Sequence, residues 1–77
     1  MPHVIVKMLS GRSDELKAQL AEEITKVVMK LTGNTEQAVS VGIEDVKQSD
    51  WTEKVYKPDI ADKWDKLYKK PGYNPLT

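Results

Sequence analysis

Apolar and polar positions along the chain fall into patterned stretches separated by clear breaks. From His3 to Leu9, Val4, Val6 and Met8 alternate with Ile5, Lys7 and Leu9, the period of a strand buried on one face and partly on the other. Ser10 and Gly11 end it. Ser13 is placed to cap a helix whose first turn carries Asp14 and Glu15, acids favoured at the positive end of the helix dipole. Leu16, Leu20, Ile24, Val27 and Leu31 follow at spacings of three and four, an apolar stripe that runs to the stop signal Thr32-Gly33-Asn34. Val39, Val41 and Ile43 then alternate with Ser40, Gly42 and Glu44, which predicts a second strand. Between Asp45 and Lys57 no period is visible, and Ser49-Asp50-Trp51 reads as a turn that presents an aromatic ring. Pro58 is placed to open a second helix, with Asp59 in its first turn, Ile60, Trp64, Leu67 and Tyr68 on one face, Lys69-Lys70 at its negative end and Pro71-Gly72 as its stop. Tyr73 to Thr77 read as a tail or as an arm on a neighbour.

The implied class is α+β: a βαβ unit with parallel strands and a right-handed crossover, plus a C-terminal helix, in one domain spanning residues 1–77. Two strands do not make a sheet that is stable alone. The economical solution is a second copy joined edge to edge, giving a four-stranded sheet with both helices on one face. Composition sharpens this expectation. A chain of 77 residues buries only about 60% of the surface its unfolded form exposes, and chains of this size often add disulfides, a metal or a partner subunit for stability. It has no cysteine and a single histidine, His3, and its twelve acids lack metal-ligand spacing, so no cofactor or metal is expected and oligomerisation remains. Net charge is zero, with twelve Lys plus Arg against twelve Asp plus Glu, which argues against nucleic-acid and anionic-membrane partners. No apolar run approaches a membrane span and the amino end lacks a signal-peptide pattern, so the cytoplasm is the expected location.

Met1-Pro2 is the sharpest candidate for chemistry. Loss of the initiator methionine would expose a secondary amine at the first residue of a strand, able to act as base or nucleophile once an apolar pocket and a nearby cation lower its pKa. A retained methionine makes the same nitrogen an inert amide, and a rigid chain start explains Met-Pro equally. Arg12, the only arginine, sits in the strand-to-helix loop beside Gly11; a guanidinium there can hold a carboxylate bidentately, or it is a solvated loop cation. Trp51 can wall an apolar pocket or pack in a core or subunit interface. Trp64 is explained by packing on its helix stripe, and His3 as a structural residue or a neighbour that tunes the amine. Lys17 and Lys26 read as exposed helix cations.

Pro2, the stretch Leu9-Ser10-Gly11-Arg12-Ser13-Asp14-Glu15 entering a helix, the strand Val-Ser-Val-Gly-Ile and the aromatic Trp51 together resemble the 4-oxalocrotonate tautomerase family over residues 2 to about 53. The ending Lys69-Lys70-Pro71-Gly72-Tyr73, with its extra helix, looks like the longer bacterial branch that tautomerises phenylpyruvate-like enols. The resemblance implies a tautomerase (MIF-like) fold, and a homodimer rather than the hexamer of the shorter enzymes. It implies an isomerase in which Pro2 shuttles a proton between the enol oxygen and a carbon of a small 2-oxo or 2-hydroxy acid, phenylpyruvate-like or a dienoate. Arg12 would bind the substrate carboxylate and Trp51 would take the place of the family's pocket phenylalanine. Ser40 stands where the type enzyme has a second arginine, which turns the expected substrate from a dicarboxylate towards a compact monoacid and leaves Ser40 one hydrogen bond to offer. Two rival readings follow. Haloacrylate dehalogenases on this scaffold activate water with a glutamate, for which Glu53 is the counterpart, but they have an additional arginine where this chain has Leu9. The other rival is a non-catalytic oligomeric binding module in which Pro2 merely starts a strand.

Overall fold

In the computed structural model, which describes residues 1–77, the two strands β1 (His3–Leu9) and β2 (Ser40–Val46) pair in parallel as a two-stranded sheet, with helix α1 (Asp14–Thr32) as the crossover between them. The chain divides into two compact units, Met1–Asp45 and Val46–Thr77. In the first, alternation along β1 sets the faces. Val4, Val6 and Met8 are half-buried, whereas Ile5 and Leu9 remain 52% and 38% exposed. The bounds of α1 follow from its caps. Ser13 Oγ accepts the Leu16 N–H at 3.1 Å, and Gly33, at φ 76°, donates its N–H to the Met29 carbonyl at 2.9 Å. A hydroxyl cap of this kind is worth about 1 kcal/mol, and the left-handed turn at Gly33 suits a residue without Cβ.

The stripe read from the sequence describes only part of α1. Its half-buried face is Lys17, Leu20, Ala21, Ile24, Thr25, Val28 and Met29, while Leu16, Val27 and Leu31 are 44%, 55% and 78% exposed. The helix is apolar over a wider arc than two strands can cover, so the predicted stripe splits into a packed seam and an open flank. Lys17 is correspondingly no exposed cation: its Nζ lies 2.5 Å from Asp45 Oδ2, with its side chain 20% exposed. A single turn of 3₁₀ helix, Glu36–Ala38, leads into β2, which runs two residues further than its alternation suggested.

The second unit departs most from expectation. Its helix begins ten residues before Pro58: one α turn, α2 (Gln48–Trp51), continues into a π-helical segment, Thr52–Ala61, that contains Pro58. Proline in an α-helix interior removes an N–H and drives its ring against the carbonyl of residue i−4. The wider winding, seen in the Asp62 N–H to Lys57 carbonyl bond at 2.9 Å, accommodates the ring inside the helix instead of at its start. Val55 and Tyr56, the two buried apolar residues of the chain, lie on this segment. Beyond it the predicted helical stripe is absent. Trp64–Lys66 is one 3₁₀ turn, Trp64 is 37% exposed beneath Lys70 Nζ at 5.7 Å, and Tyr68 is fully exposed. No helix is long and apolar enough to cross a membrane.

Candidate functional site

Pro2 precedes the first residue of β1, half-buried, with Met1 fully exposed ahead of it. Because the strands are parallel, the start of β2 lies beside it. The Ser40 N–H donates to the Pro2 carbonyl at 3.1 Å, and His3 Nδ1 meets Ser40 Oγ at 2.6 Å. Thus Pro2, His3 and Ser40 gather at one end of the sheet. His3 was open to a structural or a tuning role from sequence. The structure gives it a named partner that sequence reasoning did not connect to it.

Arg12 stands at the other end of β1, exposed in the loop that Gly11 turns at φ 121°, with its Nη1 donating to the Leu9 carbonyl at 3.4 Å. Seven extended residues at roughly 3.3 Å each place the guanidinium about 20 Å from the Pro2 nitrogen of the same chain, far more than a small 2-oxo acid spans. Beside Arg12 opens a cleft of about 430 Å³ lined by Met8, Arg12, Leu16, Gln19, Leu20 and Glu23. Its walls are mostly aliphatic, with the guanidinium as the anion-binding group and the Glu23 carboxylate as the opposing charge. Further along α1, Lys26 is held above its ordinary pKa by the nearby Glu23 and Glu22 carboxylates.

In the second unit Trp51 is half-buried and its indole N–H donates to Tyr73 Oη at 2.8 Å. Tyr56 donates its hydroxyl to the Tyr73 carbonyl at 3.4 Å, and the two phenol rings lie 5.5 Å apart at 53°. The residues after Pro71 are therefore fastened to the helical segment by an aromatic cluster that the sequence left as a tail. Glu53 is exposed and pairs with Lys57 at 2.6 Å one turn on. No group of three His, Cys, Asp or Glu side chains is placed to hold a metal ion.

The family model described as tautomerase enzyme matches residues 2–54. A probable tautomerase of Xylella fastidiosa is 46% identical over 77 residues, covering 100% of this chain and 94% of that protein. Tautomerase PptA of Enterobacter sp. is 39% identical over 75 residues, covering 96% and 99%. Among solved structures, YwhB, a homologue of 4-oxalocrotonate tautomerase, superimposes with a TM-score of 0.59 at 45% identity over 61% of this chain and 77% of its own.

Proposed function

The chain belongs to the tautomerase family, an isomerase of the keto–enol type, and on that premise we propose that Pro2, freed of Met1, is its general base and general acid for ketonisation of a small 2-hydroxy-2-enoic acid of the phenylpyruvate class. The observation that carries the reading is the position of Pro2. The family match begins at this residue, it is half-buried at the sheet end, and the fully exposed Met1 ahead of it can be removed without disturbing a packed contact. In the reaction the amine takes the enol O–H proton, the C–O bond becomes a carbonyl, and the ammonium returns the proton to the adjacent carbon. Nothing is gained or lost overall. An amine serves both steps when its pKa lies near the working pH, which desolvation and a neighbouring cation favour.

That cation is Arg12 in this reading, and it must come from another copy of the chain, because its own Pro2 is a strand length away. The same copy covers the open flank of Leu16, Val27 and Leu31 and the edge of the two-stranded sheet. The expected assembly is a homodimer pairing its sheets into four strands, acting as a single tautomerase domain per chain. Sedimentation at micromolar concentration should show a dimer or larger species. A folded monomer there contradicts the shared site. Trp51, its indole held by Tyr73, is assigned as the aromatic wall of the substrate site, and Ser40 supplies its one polar contact near the amine. With a hydroxyl rather than a second guanidinium at Ser40, the site favours one carboxylate per substrate. The processed protein should therefore ketonise the enol of an arylpyruvate at a higher kcat/KM than it converts a 2-hydroxydienedioate, followed by loss of enol absorbance. The reverse order would assign the dicarboxylate class.

A further inference from the structure

We propose that His3 is a positioning residue for the Pro2 amine, acting through Ser40; the proposal rests on Pro2 being the catalytic base. The first residues of a chain fray unless tied down. Pro2 has a special difficulty, since its nitrogen must stay free to react and a proline has no N–H to give the sheet once Met1 precedes it. The amino end of β1 can therefore be fastened only from the Pro2 carbonyl onwards.

It is fastened twice, and both times at Ser40. The Ser40 N–H holds the Pro2 carbonyl at 3.1 Å, and the Ser40 hydroxyl holds His3 Nδ1 at 2.6 Å. The two bonds flank the Pro2–His3 peptide. That peptide is planar, so with the plate held on both sides the position of the amine nitrogen, now at the chain end, depends on one remaining torsion, ψ of Pro2. Removing the imidazole frees the His3 side of the plate and lets the amine swing about the surviving backbone bond. The contact holds in either charge state of His3: a ring protonated at Nδ1, neutral or charged, donates to Oγ and leaves the serine O–H for the substrate. Geometry, and not the charge of the ring, is the contribution.

The engaged atom makes the proposal specific. An asparagine amide places a polar atom where Nδ1 lies, whereas glutamine reaches only to the level of Nε2. His3→Leu should lower kcat about tenfold or more with KM within about twofold, since a misplacement near 1 Å can cost on the order of a hundredfold. His3→Asn should recover most of that loss and His3→Gln little. In a Ser40→Ala background, where the partner is already gone, His3→Leu should change kcat by less than about twofold, the mark of two residues acting as one unit. All samples are confirmed by intact mass to begin at Pro2 and compared by melting temperature. Equal losses in His3→Asn and His3→Leu, an undiminished loss in the Ser40→Ala background, or kcat within twofold for every variant each overturns the proposal. Failure of the underlying reading is seen separately, as wild-type turnover that survives Pro2→Ala.

Discussion

Samples that retain Met1 will fail to ketonise an enol that processed samples turn over, and the difference will be the largest single effect in this protein. With Met1 in place the proline nitrogen is an amide, neither basic nor nucleophilic. Its removal converts the same atom into a secondary amine in a half-buried position. General acid–base catalysis contributes about 10² to 10⁴ in rate, and all of it is lost with the amine. Met1 is fully exposed on its own chain, so the fold of each chain should not depend on it, and melting and sedimentation check that both forms assemble alike. Pro2→Ala in processed protein is the milder test. It keeps an amine but makes it primary and removes the ring that orients the nitrogen, so kcat should fall by about tenfold or more with the fold intact. Mass spectrometry sorts the samples and loss of enol absorbance measures them. Equal turnover by the two forms would end the case for Pro2.

Much of the first unit was legible because its pattern and its caps agree. β1 runs from His3 to Leu9 as alternation requires, and Ser13 and Gly33 bound α1. The second unit was not, and Pro58 shows why. Proline is a start signal only for a helix wound at 3.6 residues per turn, and in the π-wound segment it sits in the interior. The half-buried and buried positions Trp51, Thr52, Val55, Tyr56 and 58–61 include the polar Thr52 and Asp59, so no continuous apolar stripe marks the segment in the sequence. At the site, sequence supplied residue types but not distances. Pro2, Arg12 and Ser40 stand out by chemistry alone, yet the His3–Ser40 bond joins residues 37 apart and depends on the register of parallel pairing. Trp51 and Tyr73, 22 apart, meet only because the chain after Pro71 turns back onto the helical segment. Which chain supplies Arg12 was likewise not legible; it follows from the length of β1 in the structure, which separates Arg12 from the Pro2 of its own chain.

Arg12→Ala should lower kcat/KM for an acid substrate by roughly ten- to a hundredfold, the equivalent of the 1.5 to 3 kcal/mol of a charged hydrogen bond, with lysine recovering part of it. Lys26, exposed on α1 and paired with Glu22 and Glu23, is the control cation and should be near neutral; Lys17 is unsuitable because of its bond to Asp45. An ester of the same substrate offers no carboxylate, so Arg12→Ala should cost it clearly less than the acid, the remaining loss being that of the cation beside the Pro2 amine. Equal damage to acid and ester would make Arg12 structural or a stabiliser of the developing enolate. The separation of Arg12 from Pro2 allows a sharper experiment. If each site takes its amine from one chain and its guanidinium from another, refolding Pro2→Ala together with Arg12→Ala puts an intact amine opposite an intact guanidinium wherever the two variants meet correctly. Random pairing of equal amounts gives about a quarter of the sites both groups, in a dimer or in any larger ring whose sites join two chains. Activity should rise on mixing towards that fraction of wild type, from parents that each retain about a tenth of it or less. Mixed oligomers that stay at the average of their parents would mean that both groups act within one chain, which the length of β1 forbids for a substrate of this size, and Arg12 would then lose its place in the site.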